Sequence, residues 1–177
     1  QRPKIAARPP ADASPAAKGC PFDCGLCAAH QQKSCTIILE VTQRCDLGCR
    51  FCYAGARVQG DDPAPETVAG WLRTARDAGG GCNIQLSGGE PTLRDDLPEL
   101  VAMGRRTGFD FIQINTNGLR LAQEPGYAAA LRTAGAASVF LQFDGVEDEV
   151  YRALRGRALL AEKRAAIAAC AGAGLGV

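Results

Sequence analysis

Along residues 36–177, short apolar runs alternate with longer stretches of helical periodicity. The runs are "TIILEVT" (36–42), "NIQLSGG" (83–89), "FIQINTNG" (111–118) and "SVFLQFDG" (138–145). Each is short and rich in β-branched or aromatic residues, which predicts a strand. Between the first two, Val68, Trp71, Leu72 and Ala75 recur at i, i+3, i+4 and i+7 and predict a helix over about 65–78. Leu97, Leu100 and Val101 share one face of a second helix over about 97–107. Asp95 and Asp96 precede it, where carboxylates cap free N–H groups and meet the positive dipole end. A third helix is expected over about 125–134. Helical sequence fills most of 147–173 with a break at Gly156, and Val177 opens a fifth strand.

Repeated β–α units of this length predict a parallel sheet with right-handed crossovers, either an open doubly wound sheet or a (β/α) barrel. Strands buried on both faces read as continuous apolar runs, and these do not. One face carries Glu40 and Thr42; Asn83, Gln85 and Ser87; Gln113, Asn115 and Asn117; Gln142 and Asp144. The alternate positions are mostly Ile, Leu, Val or Phe. Period-two alternation sends the two sets to opposite faces. The apolar set belongs under the helices, and the polar set lines something wet or ligand-filled. That suits an α/β fold of the TIM-like barrel type with sites at the strand C-termini. An antiparallel sheet with one solvated face is the alternative, and the intervening helices weigh against it.

Upstream of the strands the character changes. Residues 1–19 are rich in Pro and Ala without periodicity and read as a linker or tail. They contain no apolar stretch of the kind a signal peptide needs. Residues 20–35 form a Cys-rich segment with Gly, Pro and polar residues, a loop suited to wrapping a metal. Hydrophobic residues make up 46% of the 177-residue chain and charged residues 22%, as in a globular protein. A formal net charge of +1 supplies no basic field for nucleic acid. No apolar run approaches the ~20 residues that cross a bilayer. Seven of the nine cysteines fall between Cys20 and Cys52. Such clustering favours metal ligation over a disulfide scaffold and implies a reducing, cytoplasmic setting.

The seven form two groups with one spacing. Cys20, Cys24 and Cys27 follow C-x3-C-x2-C, and so do Cys45, Cys49 and Cys52. Three such thiolates suit three irons of a [4Fe–4S] cluster, which normally takes four Cys. The first group has Cys35 within its own loop to complete the shell, with His30 between. A closed site of this kind serves structure or electron transfer, and zinc is the other occupant the ligand set accepts. The second group has no nearby fourth Cys and directly follows the first strand. It therefore stands over the polar lumen with one position open to an outside molecule. Cys82 and Cys170 lie far from both groups and read as buried apolar residues.

"CDLGCRFCY" resembles the cysteine motif of the radical S-adenosylmethionine (SAM) superfamily, with Phe51 in its aromatic slot. "SGGEPTL" resembles that superfamily's GGEP motif, and "NTNG" and "QFDG" fall at recurring positions of the same fold. "GCPFDCGLCAAHQQKSC" resembles the subgroup of archaeal tetraether lipid synthase and related bacterial proteins, where such cysteines hold an auxiliary cluster. The resemblance implies a [4Fe–4S] cluster on Cys45, Cys49 and Cys52, and an auxiliary cluster on Cys20, Cys24, Cys27 and Cys35. It implies SAM bound at the free iron and cleaved by one electron to a 5′-deoxyadenosyl radical that takes hydrogen from a substrate C–H. Gly88, Gly89, Glu90 and Pro91 are then expected to meet the SAM amino group, and Phe51 and Tyr53 the adenine. Gln142 and Asp144 are expected at ribose or substrate, with Asn115 and Asn117 in similar roles. The implied partners are a lipid, small-molecule or peptide substrate and an electron donor such as ferredoxin or flavodoxin.

Plainer readings stand beside these. "SGGEP" and "TNG" are also turn signals, His30 is equally a polar loop residue, and the basic run Arg152–Arg164 reads as a solvated helix face. A non-enzymatic iron–sulfur or zinc protein is the competing class. The chain begins at Gln1 without Met and closes on "AGAGLGV", so it reads as the front of a longer barrel, truncated after about four β/α units. Four strands and a stub leave an open edge, and this stretch alone is expected to be inactive.

Overall fold

The computed structural model describes residues 36–56, 58–79 and 82–177. Residues 1–19, read above as a linker or tail, the Cys group of Cys20, Cys24, Cys27 and Cys35, and His30 lie outside the described residues. Strands β1 (Thr36–Thr42), β2 (Asn83–Gly88), β3 (Ile112–Thr116) and β4 (Ser138–Leu141) alternate with helices α1 (Pro65–Gly79), α2 (Leu97–Arg106), α3 (Leu119–Gln123), α4 (Tyr127–Ala134), α5 (Asp148–Arg155) and α6 (Leu160–Gly172). The sheet runs β1-β2-β3-β4, and every neighbouring pair is parallel. Parallel pairing removes the antiparallel alternative. The order also never reverses, whereas a doubly wound sheet turns back at a switch point. The strands therefore form a barrel wall. Ser138 makes a parallel bridge to Gly176, so the stretch before Val177 joins at the β4 edge, where the fifth strand is expected.

The two faces separate as the alternation predicts. Val41, Ile84, Leu86, Ile112, Ile114 and Val139 are buried against Val68 and Leu72 of α1, Leu100 and Val101 of α2, Leu131 of α4, and Ala166 and Cys170 of α6. Cys82 is buried in the same core. Burying side chains of this size stabilises by about 1.5–3 kcal/mol each relative to exposure. On the opposite face the register sets Gln85 beside Gln113 and Gln113 beside Ser138. Gln85 Nε2 donates to Gln113 Oε1 (2.6 Å), and Gln113 Nε2 donates to Ser138 Oγ (3.0 Å). The polar set thus forms a hydrogen-bonded ladder across three strands.

Several local expectations change. Trp71 leans outward and is 38% exposed, while Val68 and Leu72 are fully buried. Asp96 makes no side-chain cap bond to α2; Arg94 takes both of its oxygens instead. Asp95 pairs with Arg120. The turn after β3 continues into the short helix α3, and β4 ends at Leu141 rather than 145. Gly156 does divide the last helical stretch, in a left-handed conformation at the end of α5.

Candidate functional site

The site is built where β1 and β2 end side by side. Gly89 N–H donates to Thr42 O (2.8 Å), and Glu90 N–H donates to Arg44 O (2.7 Å). This approach explains the paired glycines. A Cβ on Gly88 would stand 2.0 Å from Thr42 O, and one on Gly89 would stand 2.1 Å from Arg44 O. Gly88 also has φ +131°, which L side chains rarely adopt. The glycines therefore let the end of β2 lie against the backbone that leads into Cys45. The close approach anticipated toward a ligand is made first toward the protein's own chain.

The loop that follows is anchored at several points. Thr42 Oγ1 accepts from Arg44 N–H (3.0 Å) and donates to Asp62 Oδ1 (2.5 Å), and Arg44 pairs with Asp62. Leu47 and Cys45 are buried in a small cluster with Leu119, Tyr151 and Leu159. Arg50 N–H donates to Leu154 O of α5 (3.0 Å). Cys45, Cys49 and Cys52, all free thiols, face a cleft with increasing exposure from the first to the last. Burial pushes the Cys45 thiol up to about 11.

The cleft is lined by these cysteines, Phe51 and Tyr53 of the loop, Gly88, Gly89 and Glu90 after β2, Asn115, Thr116 and Asn117 of β3 and its turn, and Gln142 and Arg155. Phe51 and Tyr53 are mostly exposed. Tyr53 nonetheless reaches back to the sheet: its hydroxyl lies 3.1 Å from Ser87 Oγ and accepts from Asn115 Nδ2 (3.2 Å). Among the described residues no three Cys, His, Asp or Glu side chains gather closely enough to share one ion. A single metal ion needs its donors ~2 Å from one point. Three thiols along one cleft suit the separate iron corners of a cubane cluster.

Glu90 sits beneath the cleft at 2% exposure. Its Oε1 accepts from Thr92 N–H (3.1 Å), Thr92 Oγ1 (2.6 Å) and Thr116 Oγ1 (2.7 Å); its Oε2 accepts from Asn117 N–H (2.6 Å). Burial pushes its carboxyl above the usual carboxylate range, against the pull of these donors. The carboxylate expected to reach a ligand is thus largely occupied in joining β2 to β3. Pro91 opens the 3₁₀ turn at Pro91–Leu93 and is not in the cleft lining.

Asp144, expected at ribose or substrate, is also absent from the lining. Both of its oxygens are held by Arg155, at 2.8 and 2.5 Å. Gln142 does line the cleft, and its amide sits 3.0 Å from the Arg155 guanidinium, so the oxygen belongs on that side, where it accepts. Arg155 was not singled out by the sequence, nor was Lys163. Both belong to the run read as a solvated face, yet Arg155 is 13% exposed and Lys163 is fully buried. Arg155 is the one cation in the cleft lining among the described residues, with Cys49 as a further partner. The helical repeat carried a signal: Arg155 and Lys163 each stand four residues after a buried anchor, Tyr151 and Leu159.

The fold and the site thus combine a parallel barrel wall with three free thiols in a cleft at its strand C-termini. The radical SAM superfamily model matches residues 39–177, and the chain belongs to that superfamily. Among curated relatives, it is 39% identical over 155 residues to a 7,8-dihydro-6-hydroxymethylpterin dimethyltransferase of Methanocaldococcus jannaschii, covering 86% of this chain and 30% of that protein. It is 34% identical over 147 residues to a probable GTP 3′,8-cyclase of Methanothermobacter marburgensis, covering 82% of this chain and 47% of that protein. The chain thus spans less than half the length of these relatives. In fold it is similar to anSMEcpe with bound AdoMet (TM-score 0.65, 20% identity, 80% of this chain and 41% of that one). It is also similar to Streptococcus suis SuiB bound to its precursor peptide (TM-score 0.60, 20% identity, 72% and 28%). No described helix is long and apolar enough to cross a membrane.

Proposed function

We propose that the protein is a radical SAM enzyme that alkylates or couples a small molecule at an unreactive carbon. Cys45, Cys49 and Cys52 would hold the [4Fe–4S] cluster. Gly88, Gly89 and Glu90 would border the bound SAM, Phe51 and Tyr53 its adenine, and Asn117 and Gln142 its far end. Once bound, cluster and SAM supply a carbon-centred radical that removes a hydrogen atom from substrate. The chain's part is to orient both molecules and to keep water and competing groups away. Cys20, Cys24, Cys27 and Cys35 would hold an auxiliary cluster, with zinc as the alternative that metal analysis separates. A ferredoxin or flavodoxin would deliver the electron.

One observation favours a neutral small molecule. None of the four strands carries Lys or Arg, and beside the single carboxylate of Glu40 the lumen face presents amides and hydroxyls from Gln85, Gln113, Asn115, Ser87 and Ser138. Arg155, the cation of the cleft lining, is already engaged by Asp144. A triphosphate calls for several free cations, so this wall suits an uncharged, hydrogen-bonding heterocycle better than a nucleotide. The relative named as a pterin dimethyltransferase supports the same direction. An apolar lipid chain finds little here beyond Ile38 and Phe140. Incubation of the cluster-loaded full-length protein with SAM, reductant and candidate pterins, followed by mass spectrometry, tests the reading. A mass gain matching an added alkyl group supports it. Conversion of GTP, or of a peptide, with pterins unchanged would replace it.

A further inference from the structure

Asn117 ties its own turn to three segments that are far apart in sequence. Its backbone N–H donates to Glu90 Oε2 (2.6 Å), after β2. Its carbonyl accepts from Lys163 Nζ of α6 (2.5 Å). Its Oδ1 accepts from Leu119 N–H at the start of α3 (2.9 Å). Its Nδ2 donates to Asp46 Oδ1 (2.7 Å), across 71 residues. The side chain is 5% exposed. Asp46 stands between Cys45 and Cys49, so this last bond ends on the loop that carries the thiols.

The two ends of that bond differ in support. Asn117 is fixed by groups that have no other freedom: Glu90 is itself held by Thr92 and Thr116, and Lys163 is fully buried. The cluster loop, by contrast, grows more exposed from Cys45 to Cys52. A hydrogen bond from a buried, multiply held donor to this more exposed loop adds a tie from the sheet to the anchors at Thr42, Arg44 and Arg50. We infer that Asn117 is a positioning residue that sets the cluster loop through Asp46, so that the sheet dictates where the thiols stand. This rests on the cluster reading above.

The test uses the full-length protein, reconstituted anaerobically with iron and sulfide and studied at pH 8. Asn117→Asp keeps the acceptor for Leu119 but loses the donor to Asp46 and sets two carboxylates together. Asp46→Asn/Asn117→Asp restores one donor and one acceptor with the polarity reversed. The readouts are iron release to a chelator and the change in the reduced cluster's EPR spectrum when SAM is added. Asn117→Asp is expected to release iron about tenfold faster, the scale of one lost bond to a charged group, and to show a broadened response to SAM. The double variant is expected to return both readouts to within about twofold of the original. Asn117→Asp behaving like the original protein, or a double variant no better than the single one, overturns the inference. If the original protein takes up no cluster at all, the cluster reading fails and the inference with it.

Discussion

Arg155 binds Asp144 through two parallel hydrogen bonds, Nε to Oδ2 and Nη2 to Oδ1, and by doing so turns its guanidinium to the cleft beside Cys49. Each side chain is only 13% exposed, so the pair is largely desolvated and geometrically fixed. The "QFDG" segment after β4 therefore acts on the site through α5.

The pair makes stability depend on acid. Arg155 holds the Asp144 carboxyl below its ordinary value of 3.8, and Asp144 holds the guanidinium above its own. A carboxyl depressed in the folded state contributes stability that is complete above the unfolded value and is lost as pH falls through the folded one. Arg155→Met removes that contribution and leaves Asp144 without its partner. The variant is expected to lose about 2 kcal/mol at pH 7, and progressively less as pH falls below 3.8. Urea unfolding at a series of pH values checks both points. Equal losses at pH 7 and pH 3 would exclude the pair as the cause.

The paired glycines should differ sharply from the glycine of the cluster loop. Gly89→Ala drives a Cβ into Arg44 O, and Gly88→Ala adds an unfavourable φ to the clash with Thr42 O. Each is expected to cost roughly 2–4 kcal/mol and to impair cluster loading. Gly48 has nothing within 4 Å of its would-be Cβ. Gly48→Ala is expected to change stability by less than about 0.5 kcal/mol. Chemical denaturation of the three variants side by side measures this order.

Lys163 is a buried ammonium whose pKa burial lowers. It supplies a hydrogen to Asn117 O. Lys163→Gln keeps a donor without the charge and is expected to cost about 1 kcal/mol. Lys163→Ala leaves both a cavity and an unpaired carbonyl and is expected to cost roughly 3 kcal/mol or more. Similar losses in the two variants would show that the hydrogen bond Gln can keep is not what Lys163 provides.

Much of this fold was legible because the strands alternate strictly. Ser87, Gln113 and Asn115 could be assigned to one face before any contact was known, and the ladder they join follows from that parity. The cysteines and "SGGEP" could be placed at one end of the sheet because the first follow β1 and the second closes β2. The sequence did not show what these residues touch. Glu90 reads as a ligand-facing acid, yet its four donors come from residues 92, 116 and 117. Asp144 reads the same way and is taken by a residue eleven positions on. Arg155 and Lys163 sit in a run of charges whose local pattern resembles a solvated face. Only the docking of α5 and α6 onto the cluster loop and the Asn117 turn buries them. Asp46 carries no local signal, since its partner is 71 residues away.

Cys45, Cys49 and Cys52 are proposed to hold the cluster at which SAM is cleaved. The most direct measurement is 5′-deoxyadenosine released by the anaerobically reconstituted full-length protein, given SAM and a strong reductant, beside the Cys49→Ala variant. The expected result is sustained 5′-deoxyadenosine formation by the original protein and none above background by Cys49→Ala. Cluster-loaded protein that forms none, or a Cys49→Ala variant that forms as much as the original, would contradict it.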